Sequence, residues 1–227
     1  RVFADAPHLR GKMVLASKGG IIVGTPYDQS AGYIASAIDA SLKRLGVDHI
    51  DLWQVHRPDI LTHPMELAKA LETEKAAGKI GAIGVSNYTI AQTQALMRYL
   101  DSPLISIQPE LSALTLDPIV DGTLDMAMAN DLAVLAWSPL GGGRLLDPKS
   151  ESEKAAVAAL QAVAAAQGVS LTAAAISWIM AHPARAIPII GSQDPARIRA
   201  AGEALKVKWT RASWYTIYVA SRGEPLP

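Results

Sequence analysis

The chain contains no cysteine, which excludes disulfide bonds, thiolate metal sites and cysteine nucleophiles. It carries no net charge, because 21 Lys and Arg residues balance 21 Asp and Glu residues, so no polyanionic partner is indicated. No apolar run approaches the roughly 18 uncharged residues of a membrane span, and residues 1–12 lack the apolar core of a signal peptide. We expect a cytoplasmic protein that binds neither nucleic acid nor a membrane.

The length of the chain suits one large α/β domain or two small ones. Half of its 227 residues are hydrophobic, which is enough for a sizeable core. No linker, repeat or low-complexity block divides it, so residues 1–227 are predicted to form a single domain.

One stretch of the sequence points to chemistry more clearly than the rest. Residues 50–55 form a nearly continuous apolar run, typical of a strand that is buried on both faces. The run breaks into His56, Arg57 and Pro58, and a proline cannot continue a sheet ladder. His56 is therefore placed at the carboxyl tip of the strand, where α/β enzymes keep catalytic groups. A histidine that is merely hydrogen-bonded in a loop is the alternative.

Five further runs are predicted as strands, and each ends in polar or glycine-containing sequence. They span residues 13–17, 80–85, 105–107, 132–137 and 186–190, with helical patterns between them. This alternation indicates parallel βα units. Six polar strand ends can contribute to one site only if they all lie at the same end of the fold. A (β/α)8 TIM barrel places them there, and a doubly wound sheet does not. The polar tips are Lys18, His56, Ser86–Asn87, Gln108, Ser138 and Gly191–Ser192.

Helices are predicted between the strands from apolar spacing and capping residues. Ile34 and Ile38 lie on one face of a helix that begins after Ser30 and stops at Gly46. Thr89 is predicted to cap another helix, and a last one opens after residue 194. The residues of these two helices that are expected to face inward are Ile90, Met97, Leu100, Ile198, Ala201 and Leu205.

Each candidate tip also has a structural explanation. Lys18 could be a solvated strand end, and Ser86–Asn87 could only cap the following helix. The glycines at 141–143 could only form a turn, although they would also let backbone approach a ligand. Ser192 with Arg197 could be a cap and a surface charge, or could surround a phosphate at a helix start.

Taken together, these segments resemble the aldo-keto reductases, in particular bacterial NADP-dependent members. The resemblance runs along the whole chain through LWQVHRPD, GVSN, IQPE, WSPLGGG and PIIGS followed by RI. It implies a (β/α)8 barrel that binds NADP(H) and reduces a small-molecule carbonyl compound to an alcohol by hydride transfer. A catalytically weak NADP(H)-binding or sensing subunit of the same fold is the alternative.

The resemblance also assigns roles to single residues. Lys18 and His56 match two members of the family's Asp–Tyr–Lys–His tetrad. Ser86, Asn87 and Gln108 match the residues that hydrogen-bond the nicotinamide carboxamide.

Further roles that the resemblance implies concern the rest of the cofactor. Trp137 matches the ring that stacks on the nicotinamide, and Ser138, Leu140 and Gly142 match the lining of the pyrophosphate. Ser192 and Arg197 match the surroundings of the adenosine 2′-phosphate. Gly191 departs from members that have a lysine there, so NAD(H) stays open as a less favoured cofactor.

The tetrad's Asp and Tyr have no match in this sequence. In the family they come from strand tips before the Lys strand, and Tyr27 and Tyr33 lie after Lys18. About six strands are found where the barrel has eight. We therefore expect a natural protein that is longer at its N-terminus, monomeric or weakly homo-oligomeric at full length. The 227 residues alone are expected to reduce no aldehyde above background.

Overall fold

The computed structural model describes residues 2–22, 24–25 and 27–226. They fall into two compact units, Arg1–Gln108 and Pro109–Pro227. The described residues contain six strands, four in the first unit and two in the second.

The first unit is a parallel sheet with helices between its strands. Neighbouring strands follow one another in sequence, in the order β1-β2-β3-β4. The strands are β1 Ala16–Gly19, β2 Ile50–Val55, β3 Ile80–Ser86 and β4 Leu104–Gln108, and the helices are α1 Val2–Asp5, a 3-10 helix Pro7–Lys12, α2 Ala31–Leu45, α3 Pro64–Ala76 and α4 Ile90–Met97.

The carboxyl ends of these four strands are level with one another. Gly19 is paired with Val55, Val55 with Val85, and Ser86 with Gln108. Parallel strands in register bring the residues at their ends to one edge of the sheet. The predicted polar tips of the first unit therefore share an edge.

Helix α2 forms where the sequence predicts it. The Ser30 hydroxyl accepts a hydrogen bond from the main-chain N–H of Tyr33, and Gly46 ends the helix at a φ of 67°, a conformation that glycine adopts without strain. Ile34 and Ile38 are completely buried. The apolar face thus packs inward, as the spacing indicates.

The start of β1 was predicted wrongly, at residue 13 instead of Ala16. Met13 and Val14 are 42% and 76% exposed, and the N–H of Leu15 donates to the Asp51 carboxylate at 2.7 Å. A side chain has replaced the ladder partner at this point, so the apolar run is not paired along its whole length. Lys18 is consequently inside the strand and not just after it.

The buried face of α4 also differs from the prediction. Ile90, Met97 and Leu100 are only half-buried, whereas Thr93 and Leu96 are fully buried. Thr89 caps the helix as predicted, and its side chain and that of Gln92 form a capping box. The cap was found correctly, but a helix of eight residues gives too few apolar positions to define its face.

The second unit has two parallel strands and most of the helical residues. Leu135 is paired with Ile187 and Ala136 with Pro188. The strands are β5 Ala133–Ala136 and β6 Ile187–Pro188, and the helices are α5 Asp117–Val120, α6 Thr123–Ala129, 3-10 helix Gly141–Gly143, α7 Glu151–Gln167, α8 Leu171–Met180, α9 Pro195–Ala201, 3-10 helix Gly202–Lys206 and α10 Arg211–Arg222.

The packing of the second unit centres on helix α8 and its aromatic neighbours. The ring of Trp178 is fully buried and stacks on Trp214 of α10 at a centroid distance of 4.6 Å. Each of the two indole N–H groups donates to the other residue's main-chain carbonyl, at 3.1 and 3.0 Å. These bonds satisfy both indole donors and attach α10 to α8.

Two predictions for the second unit were wrong in detail. Strand β6 has two residues, not the five of 186–190, because Pro188 has no N–H for the ladder. Ile198 and Leu205 are 48% and 78% exposed, although they were expected to face inward. Ala201 is buried, as predicted, beside Ala204 and Ile176.

No single helix in the described part of the chain is long and apolar enough to cross a membrane. Helices α7 and α8 reach that length and hydropathy only together, and they are bent by 101° at the break between them.

Candidate active site

Lys18 and His56 lie on neighbouring strands and line one cavity. Lys18 is in β1, His56 directly follows β2, and the N–H of His56 donates to the carbonyl of Gly19 at 2.8 Å. The cavity has a volume of about 480 Å³ and is also lined by Tyr33 and Arg44 of α2. The two tetrad matches are therefore brought together within the first unit.

Partial burial and neighbouring positive charges lower the pKa of both residues. Partial burial lowers the pKa of His56, and the positive charges of Lys18 and Arg57 lower it further. The Lys18 side chain reaches solvent, yet enough protein surrounds its ammonium group that burial, followed by the charge of Arg57, lowers its pKa too. His56 is accordingly a neutral imidazole at neutral pH, with one N–H donor and one acceptor nitrogen.

Asn87 connects His56 to the predicted carboxamide-binding residues. Its side-chain amide donates to the carbonyl of His56 at 3.1 Å and to the hydroxyl of Ser86 at 3.0 Å. Its main-chain N–H and the Ser86 hydroxyl both donate to the carbonyl of Gln108, at 3.1 and 3.0 Å. Asn87 has a φ of 59°, which asparagine tolerates better than most residues.

The side chain of Gln108 fits the group that the family resemblance implies. Gln108 is 4% exposed, and within the described residues its amide makes no hydrogen bond. Among the described residues, the fully buried side-chain polar atoms without a partner belong to Trp53 and Glu74, so the Gln108 amide is open to solvent and to a ligand. A carboxamide has the complementary donor and acceptor, so the residues present fit a nicotinamide here.

The predicted pyrophosphate residues follow β5 in a loop of unusual backbone conformation. Ser138, Gly142 and Gly143 have φ values of 49°, 63° and 98°. A Cβ atom added to Gly142 would meet nothing within 4 Å. The loop therefore exposes main chain that a ligand can approach closely.

Trp137 directly precedes this loop and Leu140 lies within it, and both are half-buried. Trp137 is held through its main chain, which donates to the carbonyl of Pro109 at 3.0 Å and accepts from Leu111 at 3.3 Å. The backbone of Trp137 is thus paired with residues 109–111 of the second unit.

The predicted 2′-phosphate residues follow β6, at the same edge of the β5–β6 pair. Ser192 accepts from the N–H of Asp194 at 3.1 Å, and nothing lies within 4 Å of a Cβ built on Gly191. The side chain of Arg197 is 80% exposed, with its Nε 3.7 Å from the Asp194 carboxylate. Asp194 also caps α9 through the N–H of Ala196, so a phosphate there would compete with a carboxylate for the helix start.

A second cavity, of about 520 Å³, contains none of the predicted site residues. It lies in the second unit and is lined largely by aromatic side chains, among them Trp209, Trp214 and Tyr215. This cavity is therefore not part of the active site that the strand ends indicate.

The sequence analysis missed three residues around His56. Arg57 contributes a positive charge to both Lys18 and His56, although it was regarded only as part of a polar break. Gln29 and Tyr88 are almost fully buried and hydrogen-bonded to each other at 3.1 Å. Tyr88 directly follows the GVSN segment, which was a usable signal, whereas nothing in the sequence distinguishes Gln29 from a solvated glutamine.

The fold of the chain is that of a solved enzyme. The crystal structure of the thermostable aldo-keto reductase Tm1743, in complex with the inhibitor epalrestat, matches with a TM-score of 0.81 at 21% identity. The match covers 93% of this chain and 72% of that one. The predicted (β/α)8 barrel class is thereby confirmed, with six strands described here where the complete barrel has eight.

Sequence comparison identifies the family. The chain is 56% identical over 226 residues to a 6-dehydroglucose reductase of Novosphingobium aromaticivorans, covering 100% of this chain and 74% of that protein. It is 37% identical to a 6-dehydroglucose reductase of Agrobacterium fabrum, covering 97% and 76%. The oxidoreductase YdhF of Escherichia coli is 35% identical, with 98% and 76% covered. Residues 1–220 match the aldo/keto reductase family, and the chain belongs to that family of oxidoreductases.

Proposed function

We propose that this protein reduces an aldehyde or ketone to an alcohol with NADPH, that His56 acts on the carbonyl oxygen, and that Lys18 assists the group that donates the proton. The observation that carries the proposal is the hydrogen-bonded set around Asn87, which joins His56 to Ser86 and Gln108. A group that acts on the substrate and groups that suit a nicotinamide carboxamide are thus parts of one connected structure.

The reaction needs two electrons at the carbonyl carbon and a proton at the oxygen. The reduced cofactor, when bound, supplies a hydride and leaves oxidised. His56 donates a hydrogen bond to the carbonyl oxygen, and the Lys18 ammonium stabilises the phenolate of the proton-donating tyrosine and so lowers the pKa of that hydroxyl. The family draws the proton from a tyrosine that no residue of this chain matches. Should the 227 residues alone prove fully active, Tyr27 is the first tyrosine to test in that role.

The carboxamide-binding residues decide which ring face is presented to the substrate. Gln108 offers an amide that has no other partner in the described residues, and Ser86 and Asn87 hold the backbone beside it. Fixing the ring at a set angle converts an encounter into an oriented transfer.

The second unit would hold the phosphates. The loop after β5 offers exposed main chain at Gly142, which suits a pyrophosphate. Arg197 has an exposed guanidinium with one weak carboxylate partner at 3.7 Å, so it is available to a 2′-phosphate. We infer a preference for NADP(H), with NAD(H) the less favoured cofactor.

The names of two relatives support a first choice of substrate for the test. Two of them are named 6-dehydroglucose reductase, at 56% and 37% identity. The aldehyde of 6-dehydroglucose is therefore the first substrate to test, beside a simple aromatic aldehyde.

A second function stays open because no residue of the chain matches the family's catalytic tyrosine or aspartate. A protein of this fold that holds NADP(H) and turns over slowly or not at all would have the same strand tips. It would bind the nucleotide and leave aldehydes unchanged.

Steady-state oxidation of NADPH by the product of the complete reading frame separates the two functions. The reductase predicts oxidation that depends on the aldehyde and is lost in Lys18→Met. Tight NADPH binding with no oxidation for 6-dehydroglucose or an aromatic aldehyde would establish the binding protein instead. A chain that does not bind NADPH would contradict both.

A further inference from the structure

Gln29 is buried next to the turn that carries His56. It is 1% exposed, and both ends of its side-chain amide are engaged. The nitrogen donates to the main-chain carbonyl of Arg57, and the oxygen accepts from the Tyr88 hydroxyl at 3.1 Å. Because a carbonyl only accepts, the nitrogen must face Arg57, which fixes the orientation of the amide.

Tyr88 is suited to hold that orientation. Its side chain is 8% exposed, and burial, followed by the negative charge of Asp59, raises the pKa of its hydroxyl. The hydroxyl therefore stays protonated and serves as a donor to Gln29 throughout the neutral range.

Three successive peptide groups at the end of β2 are each held by one hydrogen bond. The N–H of His56 donates to Gly19 at 2.8 Å, and the carbonyl of His56 accepts from Asn87 at 3.1 Å. The carbonyl of Arg57 accepts from Gln29. Each bond comes from a different segment of the first unit, so the turn cannot rotate without breaking one of them.

Asp59 extends the same arrangement to the loop beyond the turn. Its carboxylate accepts from the N–H of Gln29 at 3.3 Å, from the N–H of Leu61 at 3.0 Å and from the hydroxyl of Thr62 at 2.8 Å. Gln29 is thus attached at its backbone and at its side chain to the segment that begins with His56.

We propose that Gln29, oriented by Tyr88, is a positioning residue that holds the His56–Arg57 turn and thereby sets the direction of the His56 imidazole. The proposal rests on the proposed role of His56 at the carbonyl oxygen. Without the Gln29 amide, the partly buried Arg57 carbonyl loses the one donor that the described residues offer it. The turn would then open to water, and His56 would lose its fixed angle.

The test is a double-mutant cycle on carbonyl reduction in the product of the complete reading frame. Gln29→Leu keeps the size of the side chain and removes both hydrogen bonds, and Gln94→Leu makes the same change at an exposed position of α4. We expect Gln29→Leu to lower kcat/KM about 10-fold or more with little change in NADPH affinity, and Gln94→Leu to have no effect. Tyr88→Phe, which removes only the donor to Gln29, should give a smaller loss.

A residue that acts through His56 has no effect once His56 is gone. Gln29→Leu should therefore cost nothing further in a His56→Ala background. If the two losses instead multiply, Gln29 does not act through His56 and the proposal is overturned. If His56→Ala itself retains full activity, the proposed function fails, and the next measurement decides the positioning role separately.

That measurement is the NMR titration of His56 in the product of the complete reading frame, assigned with His56→Gln. Lys18 and Arg57 are the charged groups that act on this imidazole. Opening of the turn in Gln29→Leu should raise the titration midpoint of His56 toward the ordinary histidine value, because water would replace the surrounding protein. An unchanged midpoint in a folded variant would overturn the proposal whatever the activity is.

Discussion

The side-chain amide of Asn87 donates to the main-chain carbonyl of His56 at 3.1 Å, across the carboxyl ends of β2 and β3. The same amide donates to Ser86 at 3.0 Å. One side chain thus joins the residue proposed to contact the carbonyl oxygen to the residues proposed to contact the carboxamide.

This hydrogen bond leads us to predict different effects for substitutions of His56 and of Asn87. His56→Ala should lower kcat/KM for the aldehyde about 100-fold or more and leave NADPH affinity nearly unchanged. Asn87→Gly should weaken NADPH binding and lower kcat/KM, since it removes contacts to both sides. Glycine is the appropriate replacement because it keeps the φ of 59° without strain. Steady-state kinetics and nucleotide titration on both variants check this, and wild-type turnover in His56→Ala would make His56 a structural histidine.

Arg197 is predicted to determine the choice between the two nucleotides. Arg197→Ala should weaken NADP(H) by about 1.5–3 kcal/mol, the usual value of a hydrogen bond to a charged group, which is roughly 10-fold or more in Kd. NAD(H) should be almost unaffected. Arg199→Ala, on the same helix, is the matched control. Equal losses for both nucleotides in calorimetric titration would remove Arg197 from the 2′-phosphate site.

The stability of the fold should depend on pH through His56 and His182. Burial lowers the pKa of both imidazoles in the folded chain, whereas the unfolded chain titrates near the ordinary value of about 6.5. Below that value the unfolded state binds more protons, so the free energy of unfolding falls as the pH drops and levels off below the folded pKa values. Above it the contribution is complete.

Urea unfolding at a series of pH values in wild type, His56→Gln and His182→Gln measures this dependence. Each substitution should reduce the decrease in the free energy of unfolding between neutral and acidic pH. A dependence that is the same in all three proteins would show that other groups cause it.

Any side chain at Gly84 is predicted to destabilise the sheet of the first unit. A Cβ atom at this position of β3 would lie 2.2 Å from the Ser106 hydroxyl and 3.1 Å from Cγ of Gln54. Both neighbours are buried, so Gly84→Ala should cost about 1–3 kcal/mol of unfolding free energy.

Gly32→Ala is the control for that substitution. Nothing lies within 4 Å of its Cβ position, and it is near the start of α2, so alanine there should be neutral or stabilising. Denaturant unfolding compares the two, and equal midpoints would show that the β3 neighbours move apart at little cost.

Sequence reasoning succeeded where a signal is local. Residues 50–55, the Ser30 and Thr89 caps and the Gly46 stop are each defined by a few neighbouring residues, and the structure contains all of them. The barrel class followed from the repeated polar tips, because only one architecture brings six strand ends to a common mouth.

Sequence reasoning failed where the structure of a segment depends on a residue that is distant in the sequence. Strand β1 begins late because the Asp51 carboxylate takes the N–H of Leu15, a contact 36 positions away in sequence. Gln29 is buried because Arg57 and Tyr88 form hydrogen bonds with it. The sequence around Gln29 does not differ from that of an ordinary surface loop, so its burial could not be predicted. The exposure of Leu205 likewise depends on what packs against a short helix and not on its own pattern.

The most direct test of the account is to follow the hydride itself. The product of the complete reading frame is incubated with 6-dehydroglucose, or an aromatic aldehyde, and NADPH deuterated at ring carbon C4 in either of its two stereochemical forms. Mass spectrometry should find one deuterium at the new alcohol carbon from one form and none from the other, with no alcohol at all from a Lys18→Met, His56→Ala variant. An alcohol without deuterium from both forms, or equal label from each, would contradict oriented hydride transfer at these strand tips.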